Sequence, residues 1–413
     1  MLALVDCNNF FVACERLFRP DLWYKPVVVL SNNDGCIIAR SNEAKALGIP
    51  MGAPYFKYRQ FCNQHDVTVF SSNFTLYRDL SARVMAILSH HVTQIECYSV
   101  DEAFLALSPR PDQSFLQLGY ELRNKIYQCL GLPVSIGIAP TKVLAKLMSE
   151  RAKQGEGVVA WCHLKDPELA LAQFAIDEVW GIGQRMALRL RQHGIDNALD
   201  LRDCVYSALG HNADINMRRL IDELKGRSAY PLQNNDEPHR SMRSTRSLGQ
   251  ATRCYEHLQR AISFHVIQAV HKLHQENQRA GHITVFISSR HSQCKQVQSC
   301  ELDEPSSDPV KLLKIAKHLL SRCYQPQHFY HKVGVLLNKL ELVNESQLSL
   351  FPSHDDQNQP KIKAWQTINR RFGDGTLRFA VQGFDDSVWH ARKNHCSPRY
   401  TTHWEELCEV KLA

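Results

Sequence analysis

Three acidic residues in the first quarter of the chain have the clearest catalytic potential. Asp6 follows a short apolar run, Met1–Val5, and the pair Asp101-Glu102 separates two further apolar runs, Ile95–Val100 and Ala103–Leu107. Carboxylates brought close together repel unless cations neutralise them, and hard oxygen ligands on rigid strands suit Mg²⁺. Two such ions about 4 Å apart can activate an attacking hydroxyl and stabilise a leaving pyrophosphate. The pattern therefore predicts a two-Mg²⁺ site, and the alternative for an isolated Asp-Glu pair is an exposed turn.

Basic residues near these acids would bind the phosphates of a nucleotide. Arg40 and Lys45 follow the apolar run Ile37–Ala39, and Lys153 ends a predicted helix, Thr141–Lys153. Each of these residues alone is more often a surface residue than a ligand. Beside three carboxylates and their metal ions, they are candidates for holding a triphosphate.

The elements that must position the acids follow from the hydrophobic pattern of residues 1–160. If Leu17–Asn73 is set aside as an insertion, the order is strand, helix, strand, strand, helix, strand. That is the ferredoxin-like order, an antiparallel sheet with two helices on one face. The first strand then lies beside a strand of the central hairpin. We therefore expect Asp6, Asp101 and Glu102 to meet at one edge of the sheet.

A helical part follows, bounded by a polar segment. Residues 167–230 are predicted to be helical, and they contain Trp180-Gly-Ile-Gly183 before an amphipathic stretch, Met186–His193. Two helices joined by a Gly-x-Gly turn fit a helix-hairpin-helix, whose backbone amides can bind phosphate, and an ordinary αα-turn is the alternative. The polar segments Pro231–Pro238 and Pro352–Pro360 are predicted linkers.

Between the two linkers lies a basic module. Residues 241–300 contain eight Arg and Lys, Arg243 and Arg246 among them, against two Glu, whereas the net charge of the whole 413-residue chain is +7. A basic module in a near-neutral chain indicates a polyanion partner, nucleic acid first. A solvated charged face is the alternative.

Composition excludes several classes of protein. The chain is 44% hydrophobic and 22% charged, as ordinary globular proteins are, and its length fits two to four domains. No apolar run reaches the roughly 18 residues of a membrane span, and the start has no basic segment typical of a signal peptide. The fourteen cysteines are scattered without a Cys-x-x-Cys pair, which predicts reduced thiols in a cytoplasm.

Seven motifs occur along the chain: Asp6-Cys-Asn-Asn-Phe-Phe11, Lys25–Gly35, Ser71-Ser-Asn73, Tyr98–Phe104, Gly137–Lys146, Gly375–Phe379 and Ser397–Thr401. In this order they resemble the Y-family, or translesion, DNA polymerases, and within them the UmuC-type subunits of bacterial DNA polymerase V. The resemblance covers essentially the whole chain. It implies an error-prone, DNA-templated DNA polymerase of the SOS response, without proofreading.

The resemblance also implies a right-hand polymerase of the α+β class. Its parts would be a ferredoxin-like palm (1–16 and 74–165), small fingers (17–73), a helix-hairpin-helix thumb (166–232) and an α/β little finger (240–345). The remaining residues, 346–413, would form a clamp-binding segment and a partner-binding tail.

The candidate site residues, whether they match the family's functional positions or follow from the residue pattern, fall into three groups. Asp6, Asp101 and Glu102 would bind two Mg²⁺ ions with help from the carbonyl of Cys7. The incoming nucleotide would contact Phe10, Phe11, Arg40, Lys45 and Lys153. DNA would contact Gly181, Gly183, Arg243 and Arg246.

Two positions, Phe11 and Asn42, depart from the family's pattern. Phe11 matches the aromatic steric gate that excludes ribonucleotides, where the nearest relatives carry Tyr. The steric role needs only the ring, but a hydrogen bond through a hydroxyl is lost. Asn42 occupies a position where many relatives have a phosphate-binding Tyr.

Gln347-Leu-Ser-Leu-Phe351 resembles the pentapeptide by which bacterial polymerases bind the sliding clamp. An extended segment can place Leu350 and Phe351 in an apolar pocket, beside Leu348, while Gln347 sets the register by hydrogen bonds. The partners implied are this clamp, damaged primer-template DNA, deoxynucleoside triphosphates, a processed UmuD-like homodimer and RecA. The location implied is the bacterial cytoplasm, at the nucleoid during activity.

Two other classes remain open on the residues alone. A nucleotide cyclase shares a ferredoxin-like palm and paired metal-binding acids, but it would need neither the basic module nor the clamp-like pentapeptide. A catalytically dead DNA-binding scaffold would need no intact acid triad. Primer extension distinguishes a polymerase from both.

Overall fold

The computed structural model describes residues 1–108, 113–206, 214–233, 238–289, 295–343, 354–373, 375–383 and 392–407. These belong to two compact units. The first comprises Met1–Asn235 together with Asn394–Ala413, and the second comprises Asp236–Lys393. The chain therefore leaves the first unit once and returns to it near its C-terminus.

The described strands are β1 (Leu2–Cys7), β2 (Val27–Leu30), β3 (Ile37–Arg40), β4 (Thr68–Ser71), β5 (Ile95–Cys97), β6 (Glu102–Ala106), β7 (Val134–Ala139), β8 (Val158–Ala160), β9 (Ser241–Thr252), β10 (Gln278–Ser289), β11 (Lys295–Ser306) and β12 (Tyr330–Leu342). The described helices are α1 (Phe10–Arg16), α2 (Asn42–Ala46), α3 (Tyr55–Gln64), α4 (Phe74–Ser89), α5 (Phe115–Leu130), α6 (Lys142–Gln154), α7 (Pro167–Ala172), α8 (Gln184–Gln192), α9 (Ala198–Asp203), α10 (Ile215–Leu224), α11 (Tyr255–Gln275), α12 (Pro309–Cys323) and α13 (His354–Phe372).

The central sheet of the first unit has the order β5-β6-β1-β7-β8. Strand β1 is antiparallel to both β6 and β7, so the predicted ferredoxin-like order is confirmed for four strands. The fifth strand, β8, runs parallel to β7 and was not predicted, because its three residues are too few to show a period-two pattern.

Both faces of this sheet are buried. Ala3 and Val5 of β1 belong to a core shared with α4 and α5, the two helices expected on one face. Leu4, which points the other way, is packed under α6. Because successive strand residues face opposite sides, burial of both faces explains the unbroken apolar run at the N-terminus.

The insertion forms a sheet of its own, with order β3-β2-β4. Strand β2 is antiparallel to β3 and parallel to β4. Helices α2 and α3 accompany it, and α3 was not predicted. Only Tyr55 and Cys62 of α3 are buried, so its apolar stripe is too sparse to show in the sequence.

The helical part is confirmed as α7 to α10, but the element before Gly181 differs from the prediction. It is a single 3₁₀ turn, Ile176–Glu178, rather than a full helix. The buried carboxylate of Glu223 on α10 accepts hydrogen bonds from Val143 N on α6 and from Ala229 N. This contact ties the helical part to the palm-like sheet through the start of α6.

The second unit is a four-stranded antiparallel sheet, β11-β10-β12-β9, packed against α11 and α12. The edge strands β9 and β11 were not predicted, because many of their side chains are polar and exposed. The predicted linker at Pro352–Pro360 is wrong, since α13 begins at His354. Asn358 Nδ2 on this helix donates to Asp308 Oδ2 at 2.9 Å.

The division into units also differs from the expected parts. Residues up to Lys393 belong to the second unit, whereas Asn394 onward belongs to the first. The sequence placed all of 346–413 in one C-terminal part, because no local pattern reveals a return to a distant unit. None of the helices in the described ranges has the length and hydrophobicity that a bilayer span requires.

Candidate active site

The structure brings Asp6, Asp101 and Glu102 to one edge of the central sheet. Asp6 on β1 and Glu102 on β6 are direct partners in the antiparallel register. Cys7 N donates to Asp101 O at 2.9 Å, which places the third acid beside the same strand. Burial raises the pKa of the Cys7 thiol, and the charges of all three carboxylates raise it further. The carboxylates of Asp6, Asp101 and Glu102 therefore all lie within electrostatic range of the Cys7 thiol.

Two lysines of α6 neutralise two of these acids. Lys153 Nζ lies 2.8 Å from Asp6 Oδ2 and 2.7 Å from Glu150 Oε1. Lys146 Nζ lies 2.8 Å from Glu102 Oε1. Burial raises the pKa of Asp6 to about 7 and nearby Glu102 adds to that rise, whereas Lys153 lowers it. A carboxylate pair in this position requires positive charge next to it.

Sequence reasoning missed Lys146 as a partner of the acids. Lys142, Lys146 and Lys153 are four and seven residues apart, and this spacing places them on one face of a helix. The buried Lys142 forms a 2.6 Å ion pair with Glu96 on β5. A lysine stripe on the helix that follows β7 was the signal that could have found Lys146.

The basic residues expected on a triphosphate also lie together. Burial lowers the pKa of Lys45, and the positive charges of Arg40 and Lys153 lower it further, while Asp6 acts in the opposite direction. Arg40 donates to the carbonyl of Ile49. Burial also acts to lower the pKa of Lys153, but its ion pair with Asp6 outweighs that effect and raises it. Lys153 is therefore bound directly to Asp6, and Lys45 lies within electrostatic range of Asp6, Lys153 and Arg40.

The donor set suits a hard cation. Among the described residues, no three His, Cys, Asp or Glu side chains converge in an arrangement that would itself hold a metal. Asp6 and Glu102 face lysines, and Asp101 Oδ1 accepts a 2.6 Å hydrogen bond from Ser99 Oγ. The lysine ammonium groups stand where cations would neutralise the acids. Asp6 on β1, Glu102 on β6 and Asp101 directly before β6 provide carboxylate oxygens, the ligand type that Mg²⁺ prefers.

The two aromatic residues at the start of α1 differ in environment. The ring of Phe10 is 3% exposed and belongs to the core, so any contact of Phe10 with a nucleotide would be through its backbone. The ring of Phe11 is half-buried and stacks on Tyr77 with centroids 4.6 Å apart. Asn42 Oδ1 accepts a 3.0 Å hydrogen bond from Asn9 Nδ2, directly before α1.

The glycine turn of the helical part is anchored to the acidic edge of the sheet. Gly181 has φ of +94°, and Gly183 caps the start of α8. Trp180, immediately before the turn, donates from Nε1 to Tyr98 Oη at 3.0 Å. The ring of Tyr98 in turn lies 5.1 Å from Lys146 Nζ, the partner of Glu102.

Arg243 and Arg246, both expected to contact DNA, point to opposite faces of β9. Arg243 lies opposite Leu336 and Arg246 lies opposite Val333, with no bulge between these pairs. Because successive residues of a strand face opposite sides, two residues three positions apart point to opposite faces of the sheet. Arg243 is exposed, 5.1 Å from the ring of Phe286. Burial lowers the pKa of Arg246, so this side chain is not part of the exposed face.

Two other expectations concern residues away from the site. Gln347, Leu348, Leu350 and Phe351 of the clamp-like pentapeptide lie outside the described residues. None of the described cysteines forms a disulfide, as the scattered spacing predicts.

Comparison with known proteins identifies the family. The sequence profile of the impB/mucB/samB family matches residues 5–150, and that of its C-terminal domain matches 239–350. A domain of unknown function, DUF4113, matches residues 362–410. Protein UmuC of Salmonella typhimurium is 35% identical over the full length of both chains, and Protein SamB of Salmonella typhimurium is 34% identical, also over both full lengths.

A solved structure shares the fold. A chimera of the Y-family DNA polymerases Dbh and Dpo4 has a TM-score of 0.69 at 23% identity, covering 83% of this chain and 99% of the chimera. The chain therefore belongs to the impB/mucB/samB family, and it is a Y-family DNA-directed DNA polymerase of error-prone translesion synthesis in SOS mutagenesis.

Proposed function

We propose that this polymerase transfers deoxynucleotides at the edge of the central sheet, with Asp6, Asp101 and Glu102 holding two Mg²⁺ ions and the carbonyl of Cys7 assisting. The observation that carries the proposal is that Asp6 and Glu102 are register partners on adjacent strands, each paired with a lysine of α6, and that Asp101 directly precedes Glu102. When bound, Mg²⁺ there activates the attacking hydroxyl and stabilises the leaving pyrophosphate.

The chain's own residues bind and orient the incoming nucleotide. Lys153 is bound to Asp6, and Lys45 lies within electrostatic range of Asp6, Lys153 and Arg40; this positive charge suits a triphosphate more than a neutral substrate. Lys153 is paired with Asp6 in this structure, so it would be free to bind the phosphates if Asp6 held Mg²⁺.

Phe11 selects the sugar of the incoming nucleotide in this proposal. Its half-buried ring begins α1, five residues after Asp6, and is held against Tyr77. We assign it as the steric gate that excludes a 2′-hydroxyl. The buried Phe10 contributes to the nucleotide site through its backbone and to the core through its ring.

Binding of DNA is assigned to two surfaces of different chemistry. The backbone of Gly181 and Gly183, at the turn before α8, suits a phosphate, because glycine lets the backbone approach closely. The exposed Arg243 on β9 contributes charge from the open face of its sheet, and Arg246 supports β9 from the other face. In this assignment residues 1–16 and 74–165 are the palm, 17–73 the fingers, 166–232 the thumb and 240–345 the little finger.

Further partners are part of the same proposal. Residues 347–351 bind the sliding clamp, and a processed UmuD-like homodimer and RecA activate synthesis on damaged primer-template DNA. Synthesis takes place in the bacterial cytoplasm, at the nucleoid. The support is the family membership and the sequence of the pentapeptide.

The test compares Asp101→Ala and Glu102→Ala with Asp177→Ala, which removes an exposed acid of the helical part. Primer extension is lost in the first two proteins and retained in the third, while DNA affinity measured by fluorescence anisotropy is kept in all. DNA affinity resides in phosphate contacts away from the metal site. A Glu102→Ala protein that loses DNA binding together with activity would assign these acids to folding instead.

A further inference from the structure

Residues 394–400, which lie in the domain of unknown function, pack against the catalytic unit. Ser71 N at the end of β4 donates to His395 O at 2.9 Å, and His395 N donates to Ser71 Oγ at 3.0 Å. Asn394 N donates to Asp34 Oδ2 at 2.9 Å, and Asp34 Oδ1 accepts from Ser71 Oγ. A parallel bridge between Ser71 and Cys396 continues the pairing. This segment therefore adds a short strand-like edge to the sheet β3-β2-β4.

A single buried side chain joins the segment to the start of α4. Asn73 is 3% exposed, and its Oδ1 caps α4 by accepting from Leu76 N at 3.3 Å. Its Nδ2 lies 3.0 Å from Ser397 Oγ and 3.0 Å from Pro398 O. An unpartnered amide at this depth would be costly, so α4 and the segment are stabilised together.

The same segment reaches α1 at two places. The ring of Tyr400 stacks on Phe18, just beyond α1, with centroids 4.3 Å apart and an interplanar angle of 12°. Burial raises the pKa of Glu15 to about 7, although the hydroxyls of Tyr77 and Ser397 act to lower it. Tyr77 Oη donates to Glu15 Oε1 at 2.5 Å.

These contacts converge on the aromatic residue assigned to sugar selection. Glu15 and Phe11 are four residues apart on α1 and therefore share a face. Phe11 stacks on Tyr77 of α4, and Phe74 of α4 meets its edge at 6.0 Å. The ring of Phe11 thus sits between α1 and α4, the two helices that the segment holds together.

We propose that residues 394–400 act as a strap that positions the Phe11 ring by holding α1 against the start of α4, so that the C-terminal domain contributes to the polymerase's discrimination between deoxyribonucleotides and ribonucleotides. The proposal rests on the assignment of Phe11 as the gate. Tyr400, Ser397 and Asn73 are positioning residues in it, since they act through Phe11 rather than on the substrate.

The experiment measures single-nucleotide incorporation of deoxy- and ribonucleotides by full-length Tyr400→Ala and Ser397→Ala proteins. We expect the ratio of ribonucleotide to deoxynucleotide kcat/KM to rise by about tenfold in Tyr400→Ala, because a loosened gate ring tolerates the hydroxyl. Tyr400→Phe keeps the stacked ring, so we expect it to have the wild-type ratio of ribonucleotide to deoxynucleotide kcat/KM. Trp404→Ala is the matched control, since it removes an aromatic ring of the same tail that is 87% exposed.

Two further measurements separate the possible failures. If Phe11→Ala raises ribonucleotide incorporation but Tyr400→Ala and Ser397→Ala leave the ratio at the wild-type value, the gate stands and the strap is refuted. If Phe11→Ala itself leaves the ratio unchanged, the gate assignment fails, and amide hydrogen exchange of α1 decides the strap. Faster exchange of α1 in Tyr400→Ala but not in Trp404→Ala supports it, and equal exchange overturns it.

Discussion

Asp6 and Glu102 lie directly opposite each other on adjacent antiparallel strands, and each carboxylate is paired with a different lysine of one helix. Burial and the neighbouring Glu102 raise the pKa of Asp6, while Lys153 lowers it. The two carboxylates at this edge of the sheet therefore require neighbouring positive charge, and Lys146 and Lys153 of α6 supply it in this structure. This relationship underlies the first prediction.

Mg²⁺ should stabilise the protein in the absence of nucleotide and DNA. A cation present at ten times its Kd for the native state adds about 1.4 kcal/mol, which raises Tm by roughly 3–6 °C for a unit of this size. Thermal unfolding with and without Mg²⁺ measures this, and we expect no rise for Asp6→Asn. Asp177→Asn, an exposed acid paired with Arg191, should keep the full rise. If Mg²⁺ raised the Tm of Asp6→Asn as much as that of wild type, the ion would bind at another site.

Phe11→Ala should raise ribonucleotide incorporation strongly while retaining much deoxynucleotide activity, because it removes the clash with the 2′-hydroxyl. Phe10→Ala is the matched contrast, since this neighbouring ring is buried in the core. There we expect a loss of about 3–5 kcal/mol in stability and a parallel fall in both activities. Incorporation rates and Tm of both proteins decide the matter. If both incorporation rates fell in parallel in Phe11→Ala, Phe11 would be assigned as a core residue and not as the gate.

Replacing Leu350 and Phe351 by Ala should leave distributive synthesis intact and remove stimulation by the clamp. Two anchor side chains in an apolar pocket typically contribute about 2 kcal/mol or more each. Primer extension with and without the clamp measures this. Ser349→Ala, a change directly before the two anchors, should keep the stimulation. Stimulation that survives the double replacement would move the clamp contact to another segment.

The second unit should lose stability as the pH falls from about 6.5 to 4. Burial and, to a lesser extent, the charge of Arg246 lower the pKa of His265 to about 4. The unfolded chain therefore binds a proton more readily than the native state, so the contribution is complete above pH 6.5 and is lost as the pH falls. A shift of this size corresponds to about 3 kcal/mol.

Urea unfolding at pH 7 and at pH 5 tests this prediction. His265→Gln keeps an amide for the 2.9 Å hydrogen bond with Ser244 and removes the titration. We expect a smaller loss of stability between the two pH values in this protein than in wild type. His318→Gln changes an exposed histidine and should behave as wild type. Equal losses in all three proteins would contradict the assignment to His265.

Gly137→Ala should destabilise the central sheet severely. A Cβ at this position on β7 would lie 2.1 Å from Ser149 N and 2.2 Å from Ala145 O, both backbone atoms of α6. Neither atom can move without shifting the helix that carries Lys146 and Lys153, so we expect a cost of about 3 kcal/mol or more. Gly35→Ala, whose Cβ would meet atoms at 3.5 Å, is the control for thermal unfolding. A Tm equal to that of Gly35→Ala would contradict this packing.

Several features of the protein were determined by the sequence alone. The order of strands and helices in residues 1–160 was enough to predict a ferredoxin-like sheet, and that topology places Asp6 beside Asp101 and Glu102. Apolar patterns and chain order are local properties, and they suffice when connections between consecutive elements are short. The motifs from Asp6 to Phe104 also indicated the family that the comparisons show.

The tertiary structure decided what depends on contacts between distant residues. Phe10 and Phe11 are identical in type and adjacent, yet one ring is in the core and the other is stacked at the helix interface, because the helix turns them to different neighbours. Lys146 became a partner of Glu102 only when α6 packed on the sheet. The return of residues 394–400 to Asn73 spans more than 320 positions, and no local pattern encodes a contact made at that separation.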